Sequence, residues 1–269
     1  MAEAPINPLD RPGYRLDFHD EFEGEEIDRS KWMPFYMPHW SSRERAAARY
    51  ALSGSALTLC IADDQPPWCP EFDGDVRCSS LQTGLFAGPL GHPVGQHRFN
   101  PAARVREAQE TLALYVPTHG YFEIRAKAAL GPDDLAAIWM IGFEDRPERS
   151  GEITICELFG NRITNGATEL CYGIKPLHDP RLTADDFYVD SLGFDPSEFH
   201  VYAVEWAPDG VEFFFDNKRL RRIRQSPAYP MQFMLNVYAL PSATPSAAAR
   251  ELPRFTIDYF RAYRPDEGY

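Results

Sequence analysis

The chain is predicted to fold as an all-β sandwich of two antiparallel sheets, in one domain spanning residues 1–269. Three observations predict this. Alternating or continuous apolar runs of strand length recur from end to end, while helical periodicity is nearly absent. Phe, Tyr and Trp number 18, 13 and 5, as strand-rich chains favour, and 24 prolines suit many loops between short strands. No internal repeat, low-complexity linker or composition break divides the chain.

Taken in order, the elements run as follows. The only helical candidates are short, at 43–49 and 101–109. Strands are expected at 56–61, 111–116, 121–129 and 135–141. Others follow at 152–159, 169–174, 200–206, 211–216, 231–237 and 255–263. In 121–129, Phe122, Ile124, Ala126 and Ala128 alternate with Tyr121, Glu123, Arg125 and Lys127, so one face is apolar. In the last run Phe255, Ile257 and Tyr259 alternate with Thr256, Asp258 and Phe260. Pro208-Asp209-Gly210 reads as a hairpin turn, and Asp216-Asn217 ends the next run in a similar way. Two long loops, 62–78 and 87–110, are where a binding surface on a β scaffold is expected.

At 44% hydrophobic content the chain can bury one large core, and no apolar run approaches the ~20 residues of a membrane span. Lys and Arg number 27 against 40 Asp and Glu, a formal charge of −13. That balance argues against nucleic acid and anionic membrane as partners. A monomer is expected. The five cysteines cannot all pair within the chain. Cys60 and Cys156 sit in apolar strand-like runs and read as small buried hydrophobes, while Cys69 and Cys78 flank a loop that a disulfide would close. No Cys/His cluster suggests a metal centre. The opening MAEAPINPLDRPGYRL lacks a basic stretch followed by an apolar core, so a cytoplasmic protein is expected, or a secreted one if a leader has been removed.

The most informative segment is 151–160, Gly-Glu-Ile-Thr-Ile-Cys-Glu-Leu-Phe-Gly. Glu152 and Glu157 lie in a run whose Ile, Thr, Leu and Phe favour a buried strand, and an ionised group is costly to bury without a partner or a task. On a regular strand Glu152, Thr154 and Cys156 share a face and Glu157 points the other way. One β-bulge, expected near Ile155 and Cys156, brings Glu157 to the face of Glu152. A carboxyl pair so placed suits a retaining glycosidase, which needs a separation of ~5–5.5 Å. Two solvated residues on an edge strand are the alternative.

The order of segments is similar to the family 16 glycoside hydrolases, which include laminarinases, lichenases and agarases. Asp20-Glu21-Phe22-Glu23-Gly24 with Ile27-Asp28 and Lys31-Trp32 resembles the family's opening "D-E-F-x-G … L-D … x-W". Gly120 through Lys127 resembles "G-x-F-E-x-R-x-K", and Ala136-Ala137-Ile138-Trp139-Met140 resembles "A-x-W". Phe199-His200-Val201-Tyr202 with Glu205-Trp206 and Phe214 to Asp216 resembles "F-H-x-Y … E-W … Y-x-D". Ile257 through Tyr263 resembles the closing "D-Y-V-R-V-Y", so the match spans nearly the whole chain.

The resemblance implies a jelly-roll sandwich with a substrate cleft and a carbohydrate partner. The family's "Glu-x-Asp-x-x-Glu" reads here Glu152-Ile153-Thr154-Ile155-Cys156-Glu157. It implies Glu152 as nucleophile and Glu157 as general acid/base, with Thr154 in place of a middle Asp that helps set their ionisation. It further implies Trp139 as a stacking platform. Trp40 and Arg43, with Glu44 and Arg45, lie where relatives supply sugar contacts. Gln82, Gln232 and Asn236 fall in cleft strands, and Lys175 or His178 stands where relatives carry a cleft histidine. His92 and His97, in the long Gly/Pro loop, are candidates to cap one end of the cleft. No cofactor is required, though the resemblance leaves room for a structural calcium near Gly24 and Asp258. The function expected is a retaining β-glycoside hydrolase acting on a poly- or oligosaccharide. The alternatives are a transglycosylase on the same site and a carbohydrate-binding protein whose catalysis is weakened or lost through Thr154.

Overall fold

The computed structural model describes residues 4–183, 185–241 and 252–269, and within them the alternation read from the sequence becomes two antiparallel sheets. The eight-stranded sheet runs Lys218–Ile223, Gly210–Phe215, His200–Ala207, Gly120–Ala129, Arg254–Pro265, Leu57–Cys60, Arg49–Leu52. Tyr14–Asp20 shares the free edge of Arg254–Pro265 with Leu57–Cys60. The seven-stranded sheet runs Ile163–Thr164, Ala167–Lys175, Glu152–Phe159, Asp134–Gly142, Met231–Ala239, Arg77–Gln82, with Asp186–Leu192 also paired to Ala167–Lys175. A two-stranded ribbon joins Gly84–Leu85 to Leu112–Ala113.

The faces follow the period of two. Phe122, Ile124, Ala126 and Ala128 pack between the sheets against Ala136, Ile138, Met140, Ile153, Ile155 and Leu158. Truncating one of these, such as Ile138, costs about 2–5 kcal/mol through lost burial and the cavity left behind. On the other face of the seven-stranded sheet, Ala137, Trp139, Ile141, Met234 and Tyr238 meet a second, smaller cluster. That cluster is closed by Tyr36, Trp40, Trp68, Ala103 and Val105 from the loops. The same strands therefore bury one face in the sandwich and offer the other to the loops and the site.

The hairpin turns form as read. Ala207 pairs with Gly210 across Pro208 and Asp209. Asp216 and Asn217 take positive φ of 47° and 63°, the left-handed pair that a two-residue hairpin loop demands. Two expectations are corrected. Of the 43–49 helix only Arg43–Ala46 is helical, because Ala47 bridges Phe35 and Arg49 begins a strand. Segment 101–109 is not helical. Its amides bond away from an i−4 ladder, Val105 N–H to His92 O and Arg106 N–H to His39 O. Buried Ala103 and Val105 pin it down.

All five cysteines carry free thiols. Cys69 and Cys78 do not form the disulfide: Cys69 Sγ lies 3.4 Å from Trp40 O, and Cys78 Sγ accepts from Asn236 at 3.5 Å. Among the described residues no helix is long and apolar enough to cross a membrane.

Candidate active site

The bulge lies where the odd spacing of the glutamates puts it. Against Asp134–Gly142, Ile138 pairs with Cys156 but Trp139 pairs with Thr154, so Ile155 is the extra residue. Against Ala167–Lys175, Cys171 pairs with Glu157 and Gly173 with Thr154. Ile153, Ile155, Cys156 and Leu158 then all turn into the core, and Glu152, Thr154 and Glu157 share the opposite face. Gly173 gives this face its room: its φ is +147°, and a Cβ there would overlap the Asp186 carbonyl oxygen.

Two donors converge on Glu152, which is 5% exposed. Thr154 Oγ1 donates to Glu152 Oε1 at 2.6 Å. Lys175 Nζ, directly across the strand pair, donates to the same oxygen at 2.8 Å. Oε2 takes no hydrogen bond from any described residue. Lys175 Nζ also lies 3.8 Å from Glu157 Oε1. Those 2.8 and 3.8 Å legs cap the distance between the two Oε1 atoms at about 6.6 Å, which admits the ~5–5.5 Å separation of a retaining pair.

Burial and charge act in opposite senses on Glu157. Burial pushes the Glu157 carboxyl above the ordinary glutamate range; Lys175 pulls it down, Glu152 pushes it up, and Arg162 pulls it down. Burial by itself lowers the Lys175 ammonium, but Glu152 and Glu157 outweigh burial and it ends above the ordinary lysine value. The ring of Phe187 lies 4.4 Å from Nζ and completes its setting. Lys175 therefore takes the inward place that the sequence left open between it and His178. His178 is exposed, its backbone N–H donating to Ser150 Oγ at 2.9 Å.

Other expected contacts take different places. Trp139 is on the site face but only 5% exposed, its indole N–H held by Asn236 Oδ1 at 2.7 Å and its edge covered by the His97 ring. Asn236 is fully buried, so it positions Trp139 instead of meeting solvent. Trp40 is fully buried with its indole N–H on Gln96 O at 2.8 Å, which corrects the expectation of a sugar contact. Gln82 is corrected in the same way: it is buried, accepting from Met37 N–H at 3.2 Å and donating to Gly84 O at 2.6 Å. Gln232 is buried as well. Arg43 is exposed, with Nε on Gln109 Oε1 at 2.8 Å and its guanidinium over Phe35.

Gly24 and Asp258 do not make a calcium site. Gly24 lines a hollow with His19, Asp20, Glu21, Asp28 and Lys31, and Asp258 is not among its walls. Asp258 Oδ2 is taken by Arg125 Nη1 at 2.7 Å, and Glu21 is held by two nitrogens of Arg261 at 2.8 and 2.7 Å. Two guanidiniums already neutralise the carboxylates a cation would need, so the residues do not fit the ion. No cluster of three or more His, Cys, Asp or Glu suited to a metal occurs among the described residues.

The sequence offers His97 as a candidate to cap one end of the cleft but gives no signal for Glu144. His97, partly exposed, reaches the neighbourhood of Glu152, Lys175 and His178, whose charges all act on it. Glu144, 8% exposed, accepts the His97 backbone N–H at 2.6 Å, and burial pushes its carboxyl up to about 8.

The chain is similar to known proteins. The profile described as Glycosyl hydrolases family 16 matches residues 114–261. A "Glucan endo-1,3-beta-glucosidase" of Cryptopygus antarcticus is 30% identical over 209 residues, 76% of this chain and 67% of its own. A "Beta-glucanase" of Acetivibrio thermocellus is 29% identical over 122 residues, 45% of this chain, which thus matches about a third (34%) of that relative's length. The solved structure of a "GlcNAc[alpha]1-4Gal releasing endo-[beta]-galactosidase from Clostridium perfringens" superposes with a TM-score of 0.86 at 32% identity, covering 99% of this chain and 67% of that one.

Proposed function

The chain belongs to glycosyl hydrolase family 16, and from that premise we propose that it is a retaining endo-β-galactosidase acting on a galactose-containing glycan. The observation that carries the retaining chemistry is Lys175 standing between Glu152 and Glu157 on a bulged strand. The galactoside reading is supported by the Clostridium perfringens enzyme, whose likeness to this chain extends over 99% of its length.

In this mechanism Glu152 attacks the anomeric carbon through Oε2, the oxygen that no described residue hydrogen-bonds. Thr154 and Lys175 hold Oε1 and so fix the plane of the carboxylate. Glu157, whose burial favours the protonated form, gives its proton to the leaving oxygen as the glycosidic bond breaks and a glycosyl ester forms on Glu152. Glu157, now a carboxylate, takes a proton from water as that water attacks the anomeric carbon and the ester bond to Glu152 breaks. Thr154 supplies a neutral donor where relatives place a carboxylate. Lys175 supplies the positive charge that steadies the pair. The lectin-like alternative is disfavoured because a binder has no need of a nucleophile held by two donors.

The test is cleavage of a panel: a glycan carrying GlcNAcα1-4Galβ, agarose, carrageenan, β-1,3-glucan and mixed-linkage glucan, with Glu152→Gln as control. Release from the galactose-containing members with retained anomeric configuration is expected. Cleavage of glucans alone would move the substrate to the class named by the Cryptopygus relative. Inverted product, or release that survives in Glu152→Gln, would overturn the mechanism. Sugar transfer to added acceptor would identify the transglycosylase.

A further inference from the structure

His97 lies against Trp139, whose partner on the neighbouring strand is Thr154, yet it has no part in the steps above. It lies midway along the long loop 87–110, and its ring is inclined at 63° to that of Trp139 with centroids 5.2 Å apart. Trp139 is 5% exposed whereas His97 is partly open to solvent. Of the two, His97 is therefore the residue more open to solvent.

The position of His97 is strongly determined. Its φ of 49° and the φ of 55° at Glu144 are both left-handed, a region that non-glycine residues occupy only when their surroundings hold them there. Glu144 Oε1 accepts the His97 backbone N–H at 2.6 Å, and this is the one hydrogen bond its side chain makes among the described residues. The preceding residue is tied through its backbone and its side-chain nitrogen. Gln96 N–H bonds Phe86 O at 3.0 Å, its Nε2 bonds Gly142 O at 3.1 Å, and its carbonyl accepts from Trp40 Nε1 at 2.8 Å. A carboxyl buried to accept one backbone N–H adds little net stability, so its role is better sought in what it places.

We propose that His97 is a substrate-contacting residue, its imidazole hydrogen-bonded to a hydroxyl of the sugar seated at Glu152, and that Glu144 is the positioning residue that fixes it. The proposal rests on the glycoside hydrolase reading. A neutral imidazole carries one donor and one acceptor, which suits a hydroxyl that can do both. Burial holds the His97 ring below the ordinary histidine value; Glu152 pulls it up, and Lys175 and His178 lower it further. The ring thus adds no second cation beside Lys175 at neutral pH.

The test compares His97→Ala, His97→Gln, Glu144→Ala and Glu144→Gln for kcat and KM on whichever panel member the wild type cleaves, with thermal melting in parallel. His97→Ala is expected to lower kcat/KM about tenfold or more, the worth of a well-placed hydrogen bond, and His97→Gln to restore part of it. Glu144→Ala is expected to lower kcat/KM severalfold, while Glu144→Gln, which keeps a carbonyl acceptor for the His97 N–H, restores it. A value for His97→Ala within about twofold of wild type overturns the proposal. Equal loss in Glu144→Gln and Glu144→Ala overturns the positioning role. If only a glucan is cleaved, the galactoside reading fails while these ratios still decide His97. If the wild type cleaves no member, the hydrolase reading falls and the proposal with it.

Discussion

Lys175 stands directly opposite Glu152 across two antiparallel strands, with Nζ 2.8 Å from Oε1 and only 3.8 Å from Glu157 Oε1. One ammonium thus touches both glutamates, and it lowers Glu157 against the burial that raises it. Lys175→Met removes that pull, so Glu157 should hold its proton to higher pH. The alkaline limb of kcat/KM is expected to move upward by about one pH unit while the maximum falls about a hundredfold as Oε1 loses a donor. A pH–rate profile of the two proteins checks this, and an unmoved alkaline limb would show that Lys175 does not tune the acid.

Thr154 contributes a hydroxyl, not a charge, and it is fully buried. Thr154→Val keeps the shape and deletes the donor to Glu152 Oε1. A fall in kcat of about tenfold with little change in KM is expected, since the bond steadies the attacking group more than the substrate. Thr154→Asp instead adds a negative charge near both glutamates. Like charges raise one another's pKa, so the alkaline limb should shift upward there too. Profiles of Thr154→Asp and wild type that coincide would show that this position does not set the ionisation of the pair.

Glu144 links pH to stability. Its folded-state carboxyl sits at about 8, above the ordinary glutamate value, because burial disfavours its charge. The stabilisation from keeping it neutral is complete below the unfolded value of ~4.3 and is lost as pH rises through the folded one. Wild type should therefore lose melting temperature between about pH 5 and 8 more steeply than Glu144→Gln, whose side chain has no proton to release. Melting curves that stay parallel across that range would place Glu144 in solvent-like surroundings.

The thiols should be silent. Burial raises Cys69 to about 11, and Cys78 and Cys156 are pushed well above the ordinary range by the same cause. A thiol reagent at pH 8 is expected to leave these three unmodified in the folded protein. In denaturant all five cysteines should react without prior reduction. A count below five in denaturant would reveal a disulfide.

The readable parts of this chain were those written in its period. Alternation in 121–129 named the inward Phe122, Ile124, Ala126 and Ala128, and all four lie in the core between the sheets. The odd spacing of Glu152 and Glu157 required an extra residue, and Ile155 is that residue. The edge strands Tyr14–Asp20 and Asp186–Leu192 were not legible, because partly solvated strands dilute the apolar alternation with charge. Trp40 and Gln82 carried the right residue types in the right segments, yet whether a loop residue turns to solvent or inward depends on what folds over it. His97 and Glu144 lie 47 positions apart and meet only through two left-handed backbone turns, which leave no mark on residue type unless glycine is used.

The bulge also makes the site a matter of parity. Five positions separate Glu152 from Glu157, and only an uncompensated residue lets an odd interval end on the face where it began. Deleting Ile155 would shorten the interval to four, an even number that a regular strand returns to the same face, so both glutamates would keep to the cleft and only the bulge would be lost. Spacing and bulge are thus one feature: exchanges at Thr154 or Ile155 leave both intact, whereas a change of length by one keeps the glutamates together only if the bulge changes with it.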